Sequence, residues 1–537
     1  MKELFKRQNI VFYVLYFIIL LWSIWNDVHF FDFSYVASGS YYVPSGSPHS
    51  VLFYLSLKIV FAFLLYRFMA ICKKYFFGGN QKDADSRRRL IFVFIILIVY
   101  LVFLIACWPG IWWCNGADEF RMVDFTKHLQ VQYHQGFMMS LFYFLAFMIY
   151  PAPVSVVLLQ MLVGSMIFGV VLADLWKERR RWASVAVIGL IFSPCGLYFA
   201  LYPMRAYLTA VFFVAFIYKY WKLQYQETPA VSEWIQLALL GAIVINFRIE
   251  MMVVLVFFPL LMWKKAYSDK VKRWTWIVML TLLMCMSVGM VSGWKKLGNQ
   301  GNSVTHNLLS FTAPLSEILV WHFDEFEIED MVLLDRYFDL NKMIEEHSNP
   351  ENIISYANYE RLTHPGDVVD SREYCEVKKI IGKILLSHPE VYLKNKSILA
   401  ARTFGIIESG ANRYQFPEEI KPQEVAGMFH QLNPELSEWI KDKLAGDFCF
   451  AGIFMFKILY AMWVPELLLL FDLIHDLMKK NTSNIILKIM ILTIFGAVFL
   501  TAMHQYTMYY FTPFLGAWIT VILSFSDKMR RMKNHGC

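Results

Sequence analysis

Residues 91–106 and 274–291 run without a single charged side chain, and uninterrupted apolar runs of that length limit this chain more than any other feature. In water they would expose a continuous apolar surface. In lipid, every backbone amide must find its partner within a helix or a closed barrel. The runs are continuous rather than alternating, so they read as helices and not as barrel strands. The composition agrees, with 58% hydrophobic and only 17% charged residues over 537 positions, far from the balance of a soluble chain. The expected fold class is an all-α polytopic membrane protein.

A crossing needs about twenty apolar residues. Candidate segments are 9–26, 50–71, 90–108, 136–150, 153–175, 183–202, 206–221, 234–247, 250–263, 274–293, 450–475, 485–503 and 508–526, which gives about 12–13 transmembrane helices. The start is basic (Lys2, Lys6, Arg7) and no small-residue cleavage site follows the first apolar run, so that run reads as a retained helix. Lysine and arginine gather in 73–89, 177–181, 219–222, 264–273, 479–488 and 528–533, and are absent from 26–50. The positive-inside rule then places these loops and both termini in the cytoplasm of a cell-membrane protein, with 109–135 and 294–449 outside. Segment 136–150 conflicts with this alternation. It is short and followed by Pro151 and Pro153, so it is expected to lie along the outer interface or to dip in and return. Arg248 and Glu250, between two short segments, are expected at the outer surface, since charge at the bilayer centre is costly.

Three regions follow: an N-terminal transmembrane domain at 1–293 with its outer loop 109–135, a mostly helical extracytoplasmic insertion at 294–449, and C-terminal helices with a basic tail at 450–537. The insertion is rich in charge, including His322, Asp324, Glu325, Glu327, Glu329 and Asp330, and has a helical pattern over 377–386. The net charge of +7 comes from basic residues at the ends of apolar segments, so it points to membrane lipid and not to nucleic acid. The eight cysteines are scattered, with no CxxC pair.

The stretch richest in chemistry follows the third candidate helix: Trp108, Pro109, Gly110, Ile111, Trp112, Trp113, Cys114, Asn115, Gly116, Ala117, Asp118, Glu119 and Phe120. Tyr133, His134, Gln135 and Gly136 come next, just before the following apolar run. Two carboxylates beside tryptophans at headgroup height could supply a general base. Desolvation near the bilayer would raise the pKa of such a group toward a useful value. Spacing alone equally fits solvated loop charges.

This pattern resembles the C-type superfamily of polytopic membrane glycosyltransferases, in particular bacterial members of uncharacterised specificity. Pro109 and Gly110 after an outward helix, an acidic residue in the next loop and His134 opening the next segment carry the resemblance. So do Pro203-Met204-Arg205, Asn246-Phe247-Arg248-Ile249-Glu250, His388-Pro389-Glu390 and the run Tyr506, Tyr509, Tyr510, Phe511 before Pro513. The family's aspartate usually sits some five residues after the glycine. Here that position is Asn115, with Asp118 three residues later, and Gln135 replaces the proline after the histidine.

The resemblance implies transfer of a sugar, by a hexosyl- or pentosyltransferase, from a polyprenyl-phosphate donor to a cell-envelope glycan or lipid on the outer face. Asp118, with Glu119 as understudy, would be the catalytic carboxylate. His134, Arg205 and Arg248 would meet the donor phosphate, and Tyr509 and Tyr510 would stack on sugar or line the lipid groove. Interfacial anchoring, an Arg248–Glu250 salt bridge and an aromatic belt account for the same residues without a substrate. No cofactor motif is present. A divalent cation stays open by resemblance, but Asp118 and Glu119, with Asp124 beyond them, offer few oxygens for a hard ion. A transporter or flippase of lipid-linked sugars and a polysaccharide repeat-unit polymerase are the alternative classes.

Overall fold

The computed structural model describes residues 2–32, 48–77, 83–112, 118–129, 131, 137–226, 229–263, 270–295, 304–347, 371–404, 406, 428–445, 461–479, 484–502 and 506–534. Among these residues the chain is helical, without a strand. Helices α1 (Lys2–Phe30), α2 (Pro48–Phe77) and α3 (Asp83–Ala106) take up the first three apolar runs. Their outer faces are apolar and uncovered: Leu21 is 65% and Ile59 70% exposed, and Phe63, Ile98 and Val102 are exposed as well. Each large apolar side chain left in water forgoes about 1.5–3 kcal/mol, so these faces need an apolar cover.

Next come α4 (Asp118–Lys127), α5 (Phe137–Ile149), α6 (Pro153–Lys177), α7 (Arg181–Ile191), α8 (Pro194–Leu201), α9 (Arg205–Leu223), α10 (Val231–Phe247), α11 (Val253–Trp263) and α12 (Lys270–Lys295). The stretch 294–449 holds α13 (Val304–Trp321), α14 (Ile328–Asp335), α15 (Leu340–Glu345), α16 (Ser371–Ser387), α17 (Pro389–Thr403) and α18 (Pro434–Ala445). Helices α19 (Val464–Met478), α20 (Ile485–Thr501) and α21 (Thr507–Asn534) close the chain. Among the described residues five helices are long and apolar enough to cross a membrane (α1, α2, α3, α6 and α21), or six if the bent pair α7–α8 is one span. Five further apolar helices are shorter.

Two local devices decide where the chain turns. Segment 183–202, expected as one crossing, breaks instead into α7 and α8 at an angle of 55°. Pro194 presets the first turn of α8 while the Ser193 hydroxyl accepts from the Gly196 N–H at 3.0 Å, a start signal hidden inside an apolar run. The far end of α8 is held from α6. Buried Gln160 donates from Nε2 to the carbonyls of Phe199, Ala200 and Tyr202 at 3.0, 2.8 and 2.9 Å. Orphan helix-end carbonyls are thereby satisfied in a dry core.

Helix α5 has thirteen residues, about 20 Å of helix, short of the roughly 30 Å of hydrocarbon. It packs among α1, α2, α6, α10 and α12 with most of its side chains buried. Segment 450–475 is described as a helix only from Val464; residues 446–460 lie outside the described residues.

Charged pairs collect at one end of the bundle. Asp174 of α6 takes Arg89 of α3 at 2.9 Å and Lys222 of α9. Asp527 of α21 takes Arg180 and the Trp221 indole N–H, the latter at 3.0 Å. Arg205 opens α9 at the opposite end, roughly 26 Å from Lys222 at 1.5 Å per residue.

Leu308, Ile318, Phe338, Met343, Val377 and Ile381 form a second core within α13–α16. Helix α17 fastens it to the bundle: Lys396, 1% exposed, donates to the Ser310 carbonyl at 2.8 Å and the Ala502 carbonyl at 2.7 Å. Burial pushes its ammonium down to about 7. Further along the same stretch, Phe429, Ile440 and Leu444 belong to the main core, with α18 lying against α8.

Candidate functional site

The loop after α3 is fixed by Gly110. Its φ of +124° is open to glycine, and an added Cβ would meet Val157 Cγ2 at 2.7 Å and the Leu201 carbonyl at 3.0 Å. The Gly110 N–H donates to the Cys107 carbonyl at 2.7 Å and the Ile111 N–H to the Leu201 carbonyl at 3.0 Å. Trp112 is buried, its indole N–H on the Pro109 carbonyl at 3.2 Å and its ring 5.0 Å from Phe429. The loop is therefore tied to the last residue of α8, four positions before Arg205. Tyr143 of α5 completes the junction by donating to the Pro203 carbonyl at 3.0 Å. Two motifs nearly a hundred residues apart in sequence are side by side.

Arg205 stands half-buried in the first turn of α9, where backbone amides and the helix dipole favour an anion. It is close enough to act electrostatically on Glu250 and on Tyr509. Glu250 lies in the short 3-10 turn Ile249–Met252 between α10 and α11. The turn exists because Arg248 adopts an extended conformation (φ −146°, ψ 130°) and ends α10. Arg248 grips Glu250 through Nη2 at 2.9 Å and Nε at 3.4 Å, and donates from Nη1 to the Met508 carbonyl at 2.9 Å. Its guanidinium lies 5.6 Å from the centre of the Tyr509 ring.

Arg248 is only 5% exposed. Pairing with Glu250 is what makes that burial tolerable. With three donors committed, Arg248 works as a scaffold, while the less buried Arg205 opens α9. Tyr509 belongs to this group. Tyr510 does not, because its ring packs on Phe404 at 5.0 Å and Phe495 at 5.4 Å. Both tyrosines are buried, unlike the side chains of an interfacial belt. Asp118 and Glu119 open α4, but their side chains lie outside the described residues, as does all of His134. Asp124, the further oxygen considered for a cation, faces His128 one turn on, with Nδ1 to Oδ1 at 3.4 Å.

Two features went unread in the sequence. Glu466, in the first turn of α19, is 4% exposed, and among the described residues neither carboxylate oxygen has a hydrogen-bond partner. It acts electrostatically on Tyr510. Its only signal was a lone glutamate after Pro465 ahead of a leucine run. The other is the grouping of His322, Glu325 and His388, which the sequence separates by 63 residues between Glu325 and its distant histidine.

No protein-family model, no curated protein and no solved structure matches this chain.

Proposed function

We propose that the chain is a polytopic membrane glycosyltransferase that moves a sugar from a polyprenyl-phosphate donor to an envelope glycan or lipid. The observation that carries the reading is the meeting of Arg205, the Arg248–Glu250 pair and Tyr509 beside the Pro109–Gly110 loop. This meeting point lies at the opposite end of α9 and α21 from the charged pairs around Asp174 and Asp527. With the basic loops in the cytoplasm, it opens on the outer face. Asp118, in this reading, takes the proton of an acceptor hydroxyl as that oxygen attacks the anomeric carbon. The bond from that carbon to the phosphate oxygen breaks, and the phosphate leaves with the electron pair. Arg205 and the amides opening α9 stabilise its growing charge. Arg248, held by Glu250 and Met508, keeps the corner of α10 and α11 in place beside Arg205.

Reconstitution in liposomes with a polyprenyl-phosphate hexose and a lipid acceptor tests this. A new glycosidic bond is expected, with Arg205→Ala raising the KM for donor roughly ten- to hundredfold, the worth of one charge-assisted hydrogen bond. Movement of the lipid-linked sugar across the bilayer without a new bond would establish a flippase instead. A ladder of repeat units would establish a polymerase.

A further inference from the structure

His322, Glu325 and His388 each turn one ligand atom inward, and these atoms lie within 4.8 Å of one another. We infer that they form a binding site for a borderline divalent cation of the zinc class in the outer region of the chain. The inference is independent of the sugar-transfer reading, whose mechanism gives none of these residues a role.

The three side chains come from separate, well-fixed places. His322 directly follows α13, with its N–H on the Ile318 carbonyl at 2.8 Å. Glu325 ends the 3-10 turn Phe323–Glu325. His388 occupies the one-residue break between α16 and α17, its N–H on the Ile384 carbonyl at 3.1 Å and Pro389 starting the next helix. Glu325 receives both rings, His322 Nδ1 at 3.1 Å and His388 Nε2 at 2.9 Å. The ring centres are 3.9 Å apart. Ligands bound to a tetrahedral zinc at about 2.0–2.1 Å are spaced by roughly 3.4 Å, so small side-chain rotations suffice to admit the ion.

Chemistry narrows the ion. Two imidazole nitrogens and one carboxylate suit zinc, whereas magnesium and calcium prefer oxygen throughout. His388 is buried, while the His322 and Glu325 side chains are 37% and 40% exposed. The ion would thus be held from the protein side and reach water on the other, where solvent fills the remaining position. The second nitrogen of His388, Nδ1, lies 3.6 Å from Glu390 Oε1, the kind of outer carboxylate that orients a metal-bound histidine. A bound ion would cross-link the end of α13 to the α16–α17 elbow, and so brace the helix whose Lys396 fastens the outer core to the bundle.

The test uses full-length, tag-free protein in detergent, titrated with Zn²⁺ against a chromophoric chelator in millimolar Mg²⁺. One Zn²⁺ per chain is expected. His322→Ala/His388→Ala should weaken it roughly a hundredfold or more, since even outer-shell changes cost ten- to hundredfold. Glu325→Gln keeps the shape while removing the charge and one of the two acceptor oxygens, and should weaken binding at least tenfold. It decides the matter if the double variant does not fold. No saturable Zn²⁺ binding, or unchanged affinity in Glu325→Gln and in a folded double variant, overturns the assignment.

Discussion

Arg248→Met lowers the stability of the folded protein by about 3–5 kcal/mol, because removing one partner of a buried ion pair strands the other charge. The stranded group is Glu250, whose two oxygens face Arg248 at 2.9 and 3.4 Å with only 16% of its side chain exposed. The Met508 carbonyl loses its donor at the same time. Lysine does not repair the site, since one ammonium cannot reproduce a planar fork that holds both a carboxylate and a carbonyl. The paired variant Arg248→Met/Glu250→Leu removes both charges and recovers most of the loss. In the single variant Arg205 becomes the nearest cation to Glu250 and is drawn toward it, so donor KM rises as well. Thermal unfolding in detergent reads the first effect. If Arg248→Met melts like the parent protein, the pair is water-screened and does not hold the corner.

Asp118→Asn cuts sugar transfer by roughly 10²–10⁴-fold, the usual contribution of a positioned general base, while the protein inserts and melts as before. Asp118 opens α4, and the loop before it leaves from a point held rigidly by Gly110 and Ile111 against Leu201. Glu119→Gln has the smaller effect. Undiminished transfer by both variants would remove the carboxylate from the mechanism.

The apolar runs were legible because nothing but a helix satisfies a long uncharged segment in lipid. Helices α1 and α2 cover the expected 9–26 and 50–71 and extend each at both ends, while α3 starts seven residues before the expected 90–108 and stops at Ala106. The bend at Ser193 and Pro194 was not legible, since both residues sit inside an apolar stretch and the cap forms only once the helix starts. The Arg248–Glu250 pair could be read from adjacency. Its third partner, the Met508 carbonyl, is 260 residues away, and no local pattern marks it. Gln160 shows the same limit. A lone glutamine in an apolar helix reads as a mild oddity until the end of α8 supplies three carbonyls for it. Arg205 and Arg248 were singled out as equals, and burial separates them into a half-exposed cation and a buried scaffold.

The central claim is that a lipid-linked phosphate docks where α9 begins, beside the Pro109–Gly110 loop and the start of α21. A polyprenyl phosphate carrying a photoreactive group on its first isoprene unit tests it directly. After irradiation in liposomes and peptide mapping, labels are predicted within 107–112, 202–206 and 506–511, competed by unlabelled polyprenyl phosphate and weakened in Arg205→Ala. Labels spread over the exposed faces of α1, α2 and α3, indifferent to competitor and to Arg205, would contradict it.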